Sequence, residues 1–329
     1  MNEPSSRAQS DIQIVALSDA AESFSSKAAG PQPDAAFAAR NRDGETVARC
    51  SLWWSATPRV NGLRSGMIGH YHGGDPVGSQ LLLEHACEEL YARGSNIAVG
   101  PIDGSTWNRY RFVTERGTEP GFFLEPDNPG EWPRQFECCG LQPFASYRSA
   151  LQDGVSVDAR RLSRIRSAIA STGIQVRHLD AERAGDELSR IHRMLTMSFR
   201  DNLLFTPISE EQFVRLHTPL VQCANPELVL LAEQGNQVAA MLFAVPDLAQ
   251  AQRGLPIDTV IVKTVAALPG RRYAGVAHVL AAHGATIARE LGYRRVIHAL
   301  MHDSIASANW SARTGKTIRR YTLYAKTLH

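Results

Sequence analysis

Cysteine is scarce: five residues in 329, at Cys50, Cys87, Cys138, Cys139 and Cys223. The odd count and the lack of paired spacing exclude a disulfide framework and fit reduced thiols in a cytoplasm. The vicinal pair Cys138-Cys139 reads as ordinary burial beside Phe136 and Leu141 rather than a redox couple. No apolar run approaches the roughly 20 residues that cross a bilayer. The opening MNEPSSRAQSD has no apolar signal core, so residues 1–10 are expected to form a polar tail. Net charge is only +2, which gives no bulk field toward nucleic acid or an acidic membrane, and neither is expected as a partner. No Gly-x-Ser-x-Gly elbow is present, which argues against a serine hydrolase. Metal spacing is missing too. His70-x-His72 with Asp75 lacks a fourth ligand, and His298 and His302 fall four apart in a stretch that reads as a strand. No metal is expected.

What remains is an ordinary globular chain, 43% hydrophobic and 21% charged, long enough for two domains. Its most informative stretch runs from Thr259 to Gly292. Val260-Ile261-Val262-Lys263-Thr264-Val265 reads as a buried strand, and Pro269-Gly270 ends it. The basic loop Arg271-Arg272-Tyr273-Ala274-Gly275 follows. A helix then carries Val276, Val279, Leu280, Ile287 and Leu291 at helical spacing, with Gly292 as its C-terminal stop. The first turn of such a helix leaves N–H groups free and carries partial positive charge, so it suits an anion. Ala274, Gly275 and Ala277 would let a phosphate approach the backbone, and Arg271 and Arg272 could add charge-assisted bonds. By itself the pattern is equally that of a plain βα turn.

The run Arg272-x-x-Gly275-x-Ala277, three residues after Pro269, resembles the Arg/Gln-x-x-Gly-x-Gly/Ala signature of the GNAT (GCN5-related N-acetyltransferase) superfamily. The resemblance implies that the loop amides from Arg271 through Arg272, Tyr273, Ala274, Gly275, Val276 and Ala277 bind the pyrophosphate of acetyl-CoA or another acyl-CoA. It also implies that the backbone at Val265, Ala266 and Ala267 pairs with the pantetheine arm, and that Arg295-Val296-Ile297-His298-Ala299 is the next strand.

The order hairpin, strand, loop, helix, strand occurs twice. Ala36–Arg40 and Thr46–Trp53 flank Asp43-Gly44; strand Met67–Tyr71, helix Val77–Arg93 and strand Asn96–Pro101 follow. Leu228–Ala232 and Val238–Phe243 flank Gly235-Asn236 and lead into the Thr259 stretch. The expected fold is therefore α/β (α+β): two tandem GNAT-like units, each a mixed, mostly antiparallel twisted sheet flanked by helices. The first spans 11–152 and the second 153–329, with a basic amphipathic helix at 158–170 as connector. In the first unit Gly73-Gly74-Asp75 replaces the basic loop. It puts a carboxylate where a phosphate would sit, so this unit is read as degenerate, kept for packing or for shaping a groove.

The resemblance implies acyl transfer from acyl-CoA to a primary amine, on a small molecule or a peptide. Aligning Gly315 with the glycine after the family's acid-bearing helix puts Ser311 where a tyrosine is frequent, and Ser304 or Ile305 where an asparagine is usual. Tyr321 and Tyr324, in the last strand, are the substitute proton donors, and His302, next to Asp303, is the nearest candidate base. These departures leave open a non-catalytic acyl-CoA-binding descendant. For the acceptor site, the loop after helix Glu187–Phe199 suggests Phe199, Asn202 and Phe205, with core packing of the two Phe residues as the plain alternative. The long polar and aromatic connection of the first half suggests Trp107, Tyr110, Arg111 and Glu125, together with Asn108.

Overall fold

The computed structural model describes residues 11–17, 31–154, 163, 173–304 and 315–329. In the first half β1 (Gln13–Ala16) pairs with β2 (Ala35–Arg40), and a turn at Gly44 joins β2 to β3 (Thr46–Trp53). The short β4 (Arg59–Val60) leads into β5 (Leu63–Gly73), then α1 (Pro76–Ala92) and β6 (Ile97–Gly100). After β7 (Phe112–Glu115) and α2 (Trp132–Cys138), β8 (Gln142–Asp153) closes this half.

The second half opens on β9 (Gln175–His178), α3 (Ala184–Phe199) and α4 (Glu210–Cys223). A turn at Gly235 joins β10 (Val229–Gln234) to β11 (Gln237–Pro246); α5 (Leu248–Gln252) precedes β12 (Thr259–Ala267). Then come α6 (Val276–Glu290), β13 (Arg295–His302) and β14 (Lys316–Thr327). The repeated order expected from sequence is present. Leu291 departs from the expectation: it is the C-cap residue of α6 and 38% exposed, because it falls past the helix's buried stripe of Val276, Val279, Leu280, Ile287 and Ala288. Of the vicinal cysteines, Cys139 is buried and Cys138 exposed.

The two halves do not keep separate sheets. Among the described residues all strands join one 14-stranded sheet, whose path runs β1-β2-β3-β5-β6-β14-β8-β13-β12-β11-β10-β9, with β4 paired to β5 and β7 to β14 off that path. The division at Asp153 falls at the end of β8, but that strand pairs with β13 of the second half, while β14 returns to pair with β6 of the first. Between them β8 and β14 run antiparallel from Lys316↔Leu151 to Ala325↔Gln142. Each half thus receives its last strand from the other, and a split in chain order does not separate two folded bodies. The stretch 158–170 lies outside the described residues, apart from Ser163.

Helix α1 covers β2, β3 and β5 with Leu82, Leu83, Ala86 and Leu90. Helix α6 covers β10, β11 and β12, and α3 packs on β11 and β12 and on α4. Gly284 lets α6 approach the sheet, since a Cβ there would lie 3.0 Å from Leu242. Each half contains one parallel pair that holds for only part of its length. Strands β5 and β6 pair from Ser65↔Ile97 to Met67↔Val99; β12 and β13 pair from Thr259↔Arg295 to Val262↔His298. Beyond those points the parallel ladders stop, although in the first half the Ile102 amide still donates to the Ile68 carbonyl at 2.9 Å and the Asp103 carboxylate still holds the His70 amide, and an opening follows in each half. Both openings coincide with bulges. On β12 the register passes from Thr264↔Phe243 to Val262↔Ala244, so Lys263 is the extra residue. On β5 it passes from His72↔Arg49 to Gly69↔Ser51, with His70 in the left-handed region at φ 46°. A bulge adds local twist and re-aims a side chain, which is how neighbouring strands are driven apart.

Candidate active site

The two helices that follow the openings begin differently. Asp75 caps α1 with its own side chain, accepting a hydrogen bond from the Gly78 amide at 2.6 Å. The carboxylate fills the site that an anionic ligand would take. No side chain caps α6. Its N-cap, Gly275, sits in the left-handed region at φ 87°, a conformation that costs glycine little. Arg271, Arg272 and Ala274 around it are exposed, and Ala277 is half-buried. Tyr273 is turned inward: it is 4% exposed, its hydroxyl donates to Gln237 Oε1 at 3.4 Å, and Arg272 stacks on its ring at 4.5 Å. Only its backbone remains for a ligand, and Val276 is likewise buried.

Beyond Val262 the edge of β12 has no strand partner on the β13 side among the described residues. The Leu268 amide donates to Ala239 in β11. By the two-residue alternation of a strand, Ala266 also points its backbone groups at β11, and Val265 and Ala267 point theirs into the opening. The Ala267 carbonyl is held from that side by Ser198 Oγ of α3 at 3.1 Å. An uncapped helix start and an unpaired strand edge therefore lie next to each other in the second half. Together they fit an extended ligand with a phosphate end, and the residues are those the family signature marks.

At the apex of this opening the two halves contribute one buried polar cluster. Tyr321 of β14 donates to Glu125 Oε1 at 2.6 Å, and its hydroxyl lies 3.0 Å from Ser149 Oγ of β8. Ser149 Oγ accepts from the Leu300 amide of β13 at 3.0 Å. Arg319 pairs with Glu125 at 3.1 Å, both side chains being buried. Lys263, on the bulge, donates from Nζ to the Leu124 carbonyl at 3.0 Å. Arg111 is stacked between Tyr110 and Tyr147, 4.0 and 4.1 Å from their ring centroids, and reaches the Leu300 carbonyl at 3.4 Å.

Burial dominates the electrostatics here. It pushes the Tyr321 phenol well above its usual range, Glu125 adding to the effect, so the hydroxyl stays protonated. Burial also raises the Glu125 carboxyl, although Tyr321 and Arg319 pull the other way. Lys263 is pushed down to about 8, first by burial and then by the Arg111 charge, with Glu125 opposing. At neutral pH a fraction of Lys263 is therefore the free amine, the form that accepts a proton.

Among the sequence candidates, the structure gathers Tyr110, Arg111, Glu125 and Tyr321 at this apex. His302 is adjacent, edge-on to Tyr147 at 4.8 Å. Burial, helped by Arg111, holds it below the usual histidine range, and its Nδ1 faces Ser304 Oγ at 2.7 Å. Tyr324 is not brought there. It donates to Glu137 Oε1 at 3.0 Å and packs with Phe112 and Phe136 in the first half's core, because residues three apart on β14 face opposite sides of the sheet. Ser311 lies outside the described residues. Trp107 crosses from the first half to meet Phe199 and Phe205, at 6.2 and 6.0 Å, and donates to the Thr206 carbonyl at 2.8 Å. Asn202 is exposed, and its backbone carries the turn from Phe199 to Phe205. Asn108 is occupied by the Asp103 carbonyl at 2.9 Å. Lys263, Ser149 and Arg319 escaped the sequence reading. Lys263 had a signal, being the one charge inside an otherwise apolar strand. Among the described residues no group of three His, Cys, Asp or Glu side chains is arranged to hold a metal.

No family model matches the chain. Over 180 residues, 54% of its length, it is 25% identical to a bacterial ceramide synthase of Caulobacter vibrioides and covers 46% of that protein. The chain thus spans about half the length of the curated relative it matches. Among solved structures it is similar to a GCN5-related glucosamine N-acetyltransferase region of a fungal multi-domain β-N-acetylglucosaminidase. The TM-score is 0.51 at 15% identity, covering 89% of this chain and 33% of that one. A GCN5-related N-acetyltransferase from Anabaena variabilis gives a TM-score of 0.50 at 8% identity, covering 89% and 63%. No helix among the described residues is long and apolar enough to cross a membrane. With the partly paired parallel strands, the bulge and the uncapped glycine start of α6, these likenesses establish that the chain has the fold of the GCN5-related N-acetyltransferases.

Proposed function

We propose that the protein is an acyl-CoA-dependent N-acyltransferase that works in its second half and acts on a primary amine. The observation that carries this reading is the uncapped N-terminus of α6 at Gly275 beside the unpaired edge of β12. The α6 amides and Arg271 and Arg272 would hold the pyrophosphate, and Val265 and Ala267 the pantetheine. The thioester supplies the activated acyl group. A backbone amide of β12 between Val265 and Ala267 would polarise its carbonyl. As the C–N bond forms, Lys263 takes the proton of the attacking amine; as the C–S bond breaks, the leaving CoA thiolate would take its proton from Tyr321, whose O–H rests on Glu125 before reaction. Similarity to a ceramide synthase, whose product is a fatty amide, supports amide formation. It puts long-chain amino alcohols first among acceptors to try, and the aromatic wall of Trp107, Phe199 and Phe205 suits such a chain.

Titration of the full chain with acetyl-CoA by calorimetry tests the reading. One site per chain is expected, abolished by Gly275→Glu, which puts a carboxylate at the helix start. Unchanged affinity in the folded variant would overturn it. Release of free CoA in the presence of an amine separates turnover from binding alone. Sphinganine, amino acids and short peptides are the acceptors to compare, with acetyl-CoA and palmitoyl-CoA as donors.

A further inference from the structure

The first half retains an opening although its helix start is closed. Between β5 and the segment that follows β6 lies a cavity of about 240 Å³, lined by Arg49, His70, His72, Asp103, Arg109 and Arg111 among others. It stands where the acyl-CoA site stands in the second half, next to the bulge at His70. With Asp75 across the helix start, a nucleoside pyrophosphate has no seat there. The volume is just below the range of pockets that enclose drug-sized ligands, so it suits a small molecule or a single head group.

Its charge is one-sided. Its arginines come from two places in the chain, Arg49 of β3 and the segment Arg109–Arg111, and Asp103 is the one carboxylate among the described residues lining it. That carboxylate is taken by the His70 amide at 2.5 Å. His70 adds no positive charge: burial, helped by Arg49, holds it down to about 4, and its Nδ1 lies 3.2 Å from Ser51 Oγ. Arg109 is exposed and donates to the Asp127 carbonyl. Arg111 is only 6% exposed, and its Nε has no hydrogen-bond partner among the described residues. Other carboxylates of the region are engaged, Glu125 with Arg319 and Asp303 with Arg148 and Arg320. Stacking on Tyr110 and Tyr147 offsets part of the cost of burying that guanidinium, but it supplies no counter-ion. The same charge disfavours a cation between His70, His72 and Asp103.

We propose that this cavity is a second ligand site, separate from the acyl-CoA site, that takes a small oxyanion: a carboxylate or a phosphate monoester group held by Arg49, Arg109 and Arg111. Arg111 also contacts Leu300 at the apex of the other opening, so the ligand would lie against the wall between the two halves.

The test is calorimetric titration of the full chain with inorganic phosphate and, separately, with acetate. The proteins compared are the unaltered chain, Arg49→Gln, Arg109→Gln and Gly275→Glu. Because Arg109 is exposed, its substitution leaves the fold intact, and thermal melting verifies this for each variant. In Gly275→Glu, where the α6 start is closed, one anion site is expected to remain, and in the unaltered chain that same site weakens about tenfold or more on Arg49→Gln and Arg109→Gln. Tighter phosphate than acetate would assign a phosphate monoester, and the reverse a carboxylate. Binding that disappears in Gly275→Glu and persists in the arginine variants would place the anion at α6 and overturn the proposal. So would binding of neither probe. The acetyl-CoA titration is read by itself, and either overturning result leaves a single acetyl-CoA site at α6 standing, so the two readings fail separately.

Discussion

Lys263 sits where β12 leaves β13, and the Arg111 guanidinium helps hold its ammonium out of the charged state. The sign follows from the lowered value of about 8. The free amine is a minor form at pH 7 and the major one above 8, so a reaction that uses it as base should accelerate as pH rises through that point. Replacing Lys263 with Met should lower kcat by about 10²–10⁴ and remove that limb from the pH profile. A limb that survives the substitution would assign the base elsewhere, with His302 the next candidate. Glu125 gives a prediction about stability instead. Glu125→Gln leaves Arg319 buried without its carboxylate, and should cost about 3–5 kcal/mol in urea unfolding. A loss below about 1 kcal/mol would mean that the carbonyls around Arg319 suffice. Little of this cluster was legible in the chain. Tyr321 and Glu125 are 196 positions apart, and no local pattern links a strand tyrosine to a loop glutamate. Tyr321 and Tyr324 were both candidates in sequence, and their odd spacing puts them on opposite faces of β14; only the packed sheet decides which face meets Glu125.

At the scale of elements, α1 and α6 are counterparts with opposite starts. Asp75 gives α1 a side-chain cap and occupies its anion site; Gly275 leaves that of α6 open. Asp75→Ala should therefore destabilise the protein by about 0.5–2 kcal/mol, read as a lowered midpoint in thermal or urea unfolding. Acetyl-CoA stoichiometry should stay at one per chain, because no arginine loop precedes α1. A second acetyl-CoA in this variant would show that Asp75 alone closes the first half. This contrast was legible, since an Asp in a Gly-Gly-Asp loop and an Arg-x-x-Gly-x-Ala run differ in charge and in backbone freedom before any fold is known. The bulges at Lys263 and His70 were not. A bulge is a mismatch between two strands, and one strand's sequence does not contain it.

The whole molecule is held by exchange of its last strands. Because β14 lies between β6 and β8, the first half cannot complete its sheet without the C-terminus, and the second cannot without β8. Unfolding should be a single transition by calorimetry and by far-UV circular dichroism together. A chain ending at Ser304 should lose protection from hydrogen exchange in β6 as well as in β8. Two separate transitions, or a truncated chain with β6 still protected, would show that the halves fold independently.

The sequence by itself determined what depends on neighbours in the chain: the hairpin turns at Gly44 and Gly235, the periods of α1 and α6, the doubled order of elements and the glycine start at Gly275. Backbone freedom and side-chain periodicity act over a few residues, so a local reading reaches them. Only the tertiary structure decided which strand completes which half, that Lys263 is a bulge, and that Arg111, Glu125 and Tyr321 meet at one apex. Those facts are set by strand register and by pairings across the length of the chain, where the free energy lies in contacts between segments and in neither segment alone.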